Sequence, residues 1–244
     1  MTWSLIARDT GPDGCVRLGV AVASRFFAVG ALCVHTRAGV GAIATQALVN
    51  PTYGKSGLDL LEQGHDAAAV VTALCAADEG RAQRQWHVLP FTGAGAAHTG
   101  AACVDWCGHV VHEGFSVAGN MLVGPQVLQA TSRAFEACSG LPMAERLIAA
   151  LCAGDAVGGD KRGRQSAAIR VQGAEDYPEL DLRVDDHDNP FTELQRLHTK
   201  SLERFQPFAQ CLPTRGSPAG VLDRAQIEAN ITAFTAARRP TRST

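Results

Sequence analysis

Hydrophobic and polar positions alternate from the second residue. In Thr2-Trp3-Ser4-Leu5-Ile6-Ala7-Arg8-Asp9, the side chains of Trp3, Leu5 and Ala7 share one side and those of Thr2, Ser4 and Ile6 the other. That period of two defines a strand. Thr10-Gly11-Pro12-Asp13-Gly14 is turn chemistry, and Val16 to Ser24 returns as a second strand. Arg25 to Gly30 reads as a link, Ala31 to Thr36 as a third strand and Ala42 to Leu48 as a fourth. In Leu18 to Ala23 and Ala42 to Leu48 polar positions are scarce, as in strands covered on both faces.

The period then lengthens to that of a helix. Tyr53 to Gln63 forms one, ended by Gly64, and Asp66 caps a second with Val70, Val71, Leu74 and Cys75 on one face. Strands follow around Gln85 to Leu89, around Ala96 to Val104, and from His109 into Met121. Gly124-Pro125 opens a third helix, closed by Gly140; Pro142 opens a fourth, stopped by Gly154. Ser166 to Gln172 and Leu180 to Val184 are two more strands. Asn189-Pro190 begins a helix with Phe191, Leu194, Leu197 and Phe205 on one face. From about Pro207 the chain changes character, with a weak helical signal around Arg224 to Ala236 and a basic end from Arg238 to Arg242. We expect one domain over 1–206 and an appendage over 207–244.

Segregated blocks of strands and helices argue an α+β fold rather than an alternating α/β one. Two stacked antiparallel sheets between helical layers, a four-layer αββα sandwich, account for the order. The strand of Thr2 should lie inside one sheet.

Composition narrows the function. Of 244 residues, 46% are hydrophobic and 19% charged, ordinary for a globular protein with a substantial core. A net charge of -2 gives no reason to expect nucleic acid or an anionic membrane as partner. No apolar run approaches the roughly 20 residues of a membrane span. A strand starting at residue 2 leaves no room for a targeting segment, so a cytoplasmic protein is expected. The cysteines show no repeating spacing, and Cys75, Cys138 and Cys152 fall on apolar helix faces, as buried free thiols would. Cys103-Val104-Asp105-Trp106-Cys107-Gly108-His109 could offer three metal ligands, but no fourth is evident. Asp185-Asp186-His187-Asp188 orients Arg183 or caps a turn. No metal and no cofactor are expected.

Several blocks together resemble a known family. They are Thr-Trp-Ser-Leu-Ile-Ala-Arg-Asp from residue 2, Leu-Gly-Val-Ala-Val-Ala-Ser-Arg-Phe-Phe from 18, Gly-Ala-Ile-Ala-Thr-Gln-Ala-Leu-Val-Asn-Pro-Thr-Tyr-Gly from 41, Gly-Phe-Ser-Val-Ala-Gly-Asn-Met-Leu from 114 and Gly-Gly-Asp-Lys-Arg-Gly-Arg-Gln-Ser-Ala-Ala from 158. In order, from residue 2 to about 206, they are similar to domain-of-unknown-function family 1028. That family resembles the N-terminal-nucleophile (Ntn) hydrolases, whose fold is the αββα sandwich. The resemblance implies an amide-bond hydrolase and supplies no substrate.

Residue types indicate how such chemistry would run. With Met1 removed, Thr2 carries a hydroxyl and a free α-amine, a nucleophile with its own base. An amine with a reference pKa of about 7.7 to 8.0 is partly neutral near neutrality and can take the hydroxyl proton. Asn120 and the region of Gln46 are candidates for oxyanion donors; Asn120 reads equally as a turn residue and Gln46 as the polar end of a buried strand. Arg25 could keep the amine neutral or hold a substrate carboxylate. Asn50 and Tyr53 stand between strand and helix, where site loops sit. The loop around Asp160, Lys161, Arg162, Arg164, Gln165 and Ser166 combines glycines with basic groups and suits an anion. The expected partner is a small amide, possession of a carboxylate and self-association being left open. The competing reading is a non-catalytic member of the same fold that binds ligand or assembles.

Overall fold

The computed structural model describes residues 2–11 and 13–238. The removal of Met1, the middle of the first turn at Pro12 and the basic end beyond Arg238 lie outside the described residues. Two compact units are present, Met1–Leu194 and Gln195–Thr244.

The first unit runs β1 (Thr2–Thr10), β2 (Val16–Ser24), α1 (Val29–Cys33), β3 (Val34–Arg37), β4 (Gly41–Ala47), α2 (Thr52–Glu62), α3 (Ala67–Ala77), β5 (Arg84–Pro90), β6 (Ala96–Thr99), β7 (Trp106–His112), β8 (Phe115–Leu122), α4 (Gln126–Ala137), α5 (Met143–Ala156), β9 (Ser166–Gln172), β10 (Leu180–Val184) and the start of α6 (Pro190–Ser201). The second holds the rest of α6, α7 (Phe205–Ala209) and α8 (Arg224–Ala237), with Arg204 of this unit paired to Glu228.

The strands form two antiparallel sheets. One has six strands in the order β10-β9-β2-β1-β8-β7, the other four in the order β3-β4-β5-β6. β1 therefore lies inside its sheet, as its unbroken burial from Thr2 to Ala7 requires. The alternation of β1 divides its residues between two layers. Ile6 joins Leu18, Val20, Val22, Ala42, Ala44 and Leu89 in the apolar layer between the sheets. Trp3, on the other face, points to α4 and α5: a Cβ on Gly154 of α5 would meet Trp3 Nε1 at 2.9 Å and Thr131 Oγ1 at 2.5 Å. Only glycine lets α5 come this close. On the far side of the four-stranded sheet, Ile43, Trp86 and Val88 pack against Leu58, Leu61, Val70 and Leu74 of α2 and α3.

Local signals place the helix starts. The Asp66 side chain accepts from Ala69 N at 2.8 Å, satisfying one of the free donors of α3. Pro125 and Pro142 precede α4 and α5.

Five expectations need correction. The helix opened by Pro142 runs through Gly154 to Ala156, so that glycine is an interior packing position and not a stop. Residues 29–33, expected as strand from Ala31, make the short helix α1 after a left-handed Ala28 (φ 53°), and extended structure begins at Val34. The strand expected over Ala96 to Val104 stops at Thr99, where Gly100 and Ala102 turn back to the main chain of Arg84 and Ala82. The segment from His109 to Met121 is a hairpin, because Gly114 (φ +77°) reverses the chain between β7 and β8. The helix expected to carry Phe205 on the face of Phe191 ends at Ser201, and Phe205 is exposed. The helix cysteines Cys75, Cys138 and Cys152 are half-buried; Cys33 and Cys211 are the buried thiols.

Candidate active site

The inward face of β1 turns polar toward its N-terminal end. Backbone pairing sets Asn120 of β8 beside Thr2, Thr2 beside Ser24 of β2, and Ser24 beside Ser166 of β9. One polar row thus crosses four strands. From the facing sheet Gln46 of β4 and Gln85 of β5, themselves paired, approach this row. Thr2 is 6% exposed, Asn120 1%, and Ser4, Gln46, Gln85, His87 and Ser116 not at all.

Buried polar groups need partners, and these have them. Thr2 Oγ1 donates to Ser24 Oγ at 3.1 Å. Gln46 Nε2 donates to the Thr2 carbonyl at 3.5 Å and to Gln85 Oε1 at 2.7 Å. Asn120 Nδ2 donates to the same two oxygens, at 3.3 Å and 3.1 Å. Gln85 Nε2 in turn donates to the Gly119 carbonyl at 2.9 Å. These amide donors are committed to holding Thr2 by its own carbonyl.

A second branch orients Gln46. Ser4 Oγ donates to Gln46 Oε1 at 2.7 Å. Its one proton spent, Ser4 accepts from His87 Nε2 at 2.8 Å, which leaves His87 Nδ1 to accept from Ser116 Oγ at 2.7 Å. His87 is thereby a neutral Nε2–H imidazole. Burial is the main cause that pushes its pKa down to about 3, and the neighbouring charge of His109 adds to it. Ser4, Gln85, His87 and Ser116 were not identified from sequence. Their signal was available: Gln85-Trp86-His87 alternates polar and apolar in a strand covered on both faces, so its polar face must meet polar partners.

One hollow is lined by Thr2 and another by its neighbour Asn120. A cavity of about 60 Å³ is lined by Thr2, Ser24 and Gln46 together with apolar side chains of the α1 region and of the end of β4. A larger one, about 410 Å³, is lined by Asn120, Met121, Ala47, Leu48 and Cys103 among others. Ala47 borders both. Ala47 (φ 68°) follows Gln46, and Met121 (φ 55°) follows Asn120; both hold left-handed backbone. Such conformations cost on the order of 1–3 kcal/mol each and concentrate at functional sites.

The other expected residues are placed as follows. Arg25, one residue past Ser24, lines a separate cavity of about 360 Å³ with Arg164, Gln165, Asp186, His187 and Asp188. Its Nη1 donates to the Arg162 carbonyl at 3.3 Å. Asp160 is buried, accepting from the backbone nitrogens of Arg25 and Arg162, each at 2.8 Å. Gln165 Nε2 donates to Asp186 at 3.0 Å. Ser166 Oγ donates to the Phe26 carbonyl at 2.5 Å and accepts from Val29 N at 3.2 Å. Asn50 Nδ2 and the Tyr53 hydroxyl both donate to Asp78, which also pairs with Arg84. Those bonds, from Arg84 first and then Tyr53, hold the Asp78 carboxyl well below the usual range. Tyr53 packs edge-on against Trp86, ring centroids 4.7 Å apart, on the outer side of the four-stranded sheet. The structure therefore brings Thr2, Gln46 and Asn120 together, sets Arg25, Gln165 and Asp160 at the same end of the six-stranded sheet, and leaves Tyr53 behind the other sheet.

The suspected metal cluster does not assemble. His109 Nδ1 bonds Thr99 Oγ1 at 2.8 Å and Cys107 Sγ lies 3.8 Å from the Cys103 carbonyl. Among the described residues no group of three or more His, Cys, Asp or Glu side chains could hold a metal ion. Nor is any helix among them long and apolar enough to cross a membrane.

No curated protein matches the chain. A crystal structure of protein SPO2555 from Silicibacter pomeroyi is 31% identical, with a TM-score of 0.82, covering 91% of this chain and 99% of its own. Anbu (ancestral beta-subunit) from Yersinia bercovieri aligns over 82% of this chain and 94% of its own at 11% identity and a TM-score of 0.40, too distant to inform fold or chemistry. The model of a family of unknown function, DUF1028, matches residues 2–194, the whole first unit. With that match and the likeness of SPO2555, this chain belongs to the DUF1028 family.

Proposed function

We propose that the protein is an amidohydrolase of the Ntn type, acting on a small amide, with Thr2 as nucleophile. The observation that carries this is the setting of Thr2: a hydroxyl lining a cavity, in a residue held through its carbonyl by two buried amides. Polar networks of this kind are costly unless satisfied, and this one converges on Thr2. After removal of Met1, the α-amine takes the Oγ1 proton as Oγ1 bonds to the acyl carbon. The substrate C–N bond breaks with that proton passing to the leaving amine, and water then hydrolyses the ester by the reverse proton path. Gln46 and Asn120 position Thr2 through its carbonyl. Arg25, with Gln165 and Arg162 nearby, is proposed to hold a carboxylate on a part of the substrate remote from the scissile bond. Asp160 and Ser166 would act by fixing the chain around Arg25 and Phe26, and Asn50 and Tyr53 through Asp78. The appendage from 207 is proposed to lie outside the chemistry, so a chain ending at Gln206 should keep it.

One observation favours a non-catalytic, ligand-binding reading. Each hydrogen bond of the network closes without a ligand, as in a core that merely specifies one packing. An acylating β-lactone separates the two. Intact mass should show wild-type protein lacking Met1 and gaining one lactone, Thr2→Ser gaining it more slowly, and Thr2→Ala not at all. Unlabelled wild type would remove the hydrolase reading.

A further inference from the structure

Resting on the nucleophile reading above, we infer that the cavity beside Thr2 is an acyl-binding pocket that takes a short aliphatic chain and excludes charge. Thr2, Ser24 and Gln46 form the buried polar end of the pocket, and its other walls are Phe26, Val29, Leu32, Cys33, Ala47 and Val49. No Asp, Glu, Lys, Arg or His is among these lining residues. A carboxylate or ammonium entering it would lose its hydration with no charged side chain to replace it. Cys33, the one titratable side chain there, is fully buried, and desolvation pushes its thiol up to about 12; it is a neutral wall.

Size sets the length of the chain. A water-sized occupant needs about 10–15 Å³ of such volume, so the 60 Å³ cavity holds a chain of roughly four heavy atoms. The rim is held in place. Ser166 Oγ bonds both the Phe26 carbonyl and Val29 N, and Ala28 N donates to the Asp185 carbonyl at 2.9 Å. A fixed rim discriminates by shape without first being ordered by the ligand. Arg25 does not compensate for the missing charge, because its guanidinium lines the separate cavity. The carbonyl carbon of a bound acyl group would rest beside Thr2 Oγ1, with its alkyl chain along the apolar walls.

Activated esters test this with intact-mass detection of the acyl-enzyme. p-Nitrophenyl acetate, isovalerate and the glutarate monoester are compared on full-length protein lacking Met1. Isovalerate should acylate Thr2 at least tenfold faster than glutarate, since a carboxylate taken into an apolar pocket without a partner is penalised more heavily than the roughly tenfold that one methylene is worth there. Leu32→Trp, which fills the pocket from a half-buried position, should lower the isovalerate-to-acetate ratio at least tenfold. Val49→Trp is the second filling variant should the first not fold. Glutarate reacting as fast as isovalerate, or a ratio unchanged in the filled variants, would overturn the pocket while leaving Thr2 as nucleophile. Failure of all three esters to label Thr2 would overturn the nucleophile reading and the pocket with it.

Discussion

The buried amides around Thr2 are joined to it and to one another by hydrogen bonds, so single substitutions there have directions that can be worked out in advance. Asn120→Ala removes two donors, to the Thr2 carbonyl and to Gln85 Oε1. Thr2 is then held by Gln46 from one side. Displacement of a nucleophile by about 1 Å can cost on the order of 10²-fold in rate, so acylation of Thr2 should slow by about that factor while the fold persists. Stopped-flow acylation by an activated ester, with circular dichroism as the control, checks it; an unchanged rate would mean that Asn120 does not position Thr2. Thr2→Ala should abolish labelling outright, because Oγ1 is the atom that is acylated.

At the scale of elements, two contacts set the site's surroundings from behind. Gly154 lets α5 settle over Trp3, the residue next to Thr2 on the opposite face of β1. Gly154→Ala adds a Cβ 2.5 Å from Thr131 Oγ1, which must move. The helix gains propensity from alanine, about 1 kcal/mol, but overpacking costs about 1–3 kcal/mol. A net loss is expected, visible as a Tm lowered by a few degrees. Asp160 clasps the end of β2 to the glycine-rich loop by accepting from two backbone nitrogens. Asp160→Ala leaves both unmet, at about 1–3 kcal/mol for a buried donor. Urea denaturation should show a loss of at least about 2 kcal/mol, and a midpoint equal to wild type would disprove the clasp.

At the scale of the whole molecule, the neutral His87 between the sheets couples folding to pH. In the folded protein its pKa is about 3, against an ordinary value of 6.5. The unfolded chain therefore binds a proton below pH 6.5 that the folded chain refuses until about pH 3. The stability linked to His87 is fully present above pH 6.5 and is lost as pH falls toward 3, at up to about 1.4 kcal/mol per pH unit. Carboxylates also lose stability in acid, so the difference between wild type and His87→Gln isolates the imidazole. That difference should grow in favour of the variant from pH 6.5 to 4 in urea titrations; a constant difference would show that His87 is protonated in the folded state.

Local patterns determined much of this protein before any tertiary contact. The alternation in residues 2–8 placed Trp3 and Thr2 on opposite faces, and scarce polarity in β2 and β4 marked strands covered on both sides. Asp66 and Pro142 marked helix starts, because caps act within one turn. What local pattern left ambiguous was α1, where a left-handed Ala28 starts a helical turn in apolar sequence that suits a strand equally well. Sheet order and the facing of the two sheets were decided only in three dimensions, since β8 lies more than 100 residues along the chain from its neighbour β1, and β9 more than 100 from its neighbour β2. The site depends on that step. Thr2, Gln46, Gln85, His87 and Asn120 are each an ordinary polar residue in an apolar strand, and nothing within a few residues of any one names its partner. Burial between two sheets makes an unpartnered polar group expensive, and only the stacked sheets bring the matching donors and acceptors within 3.5 Å of one another.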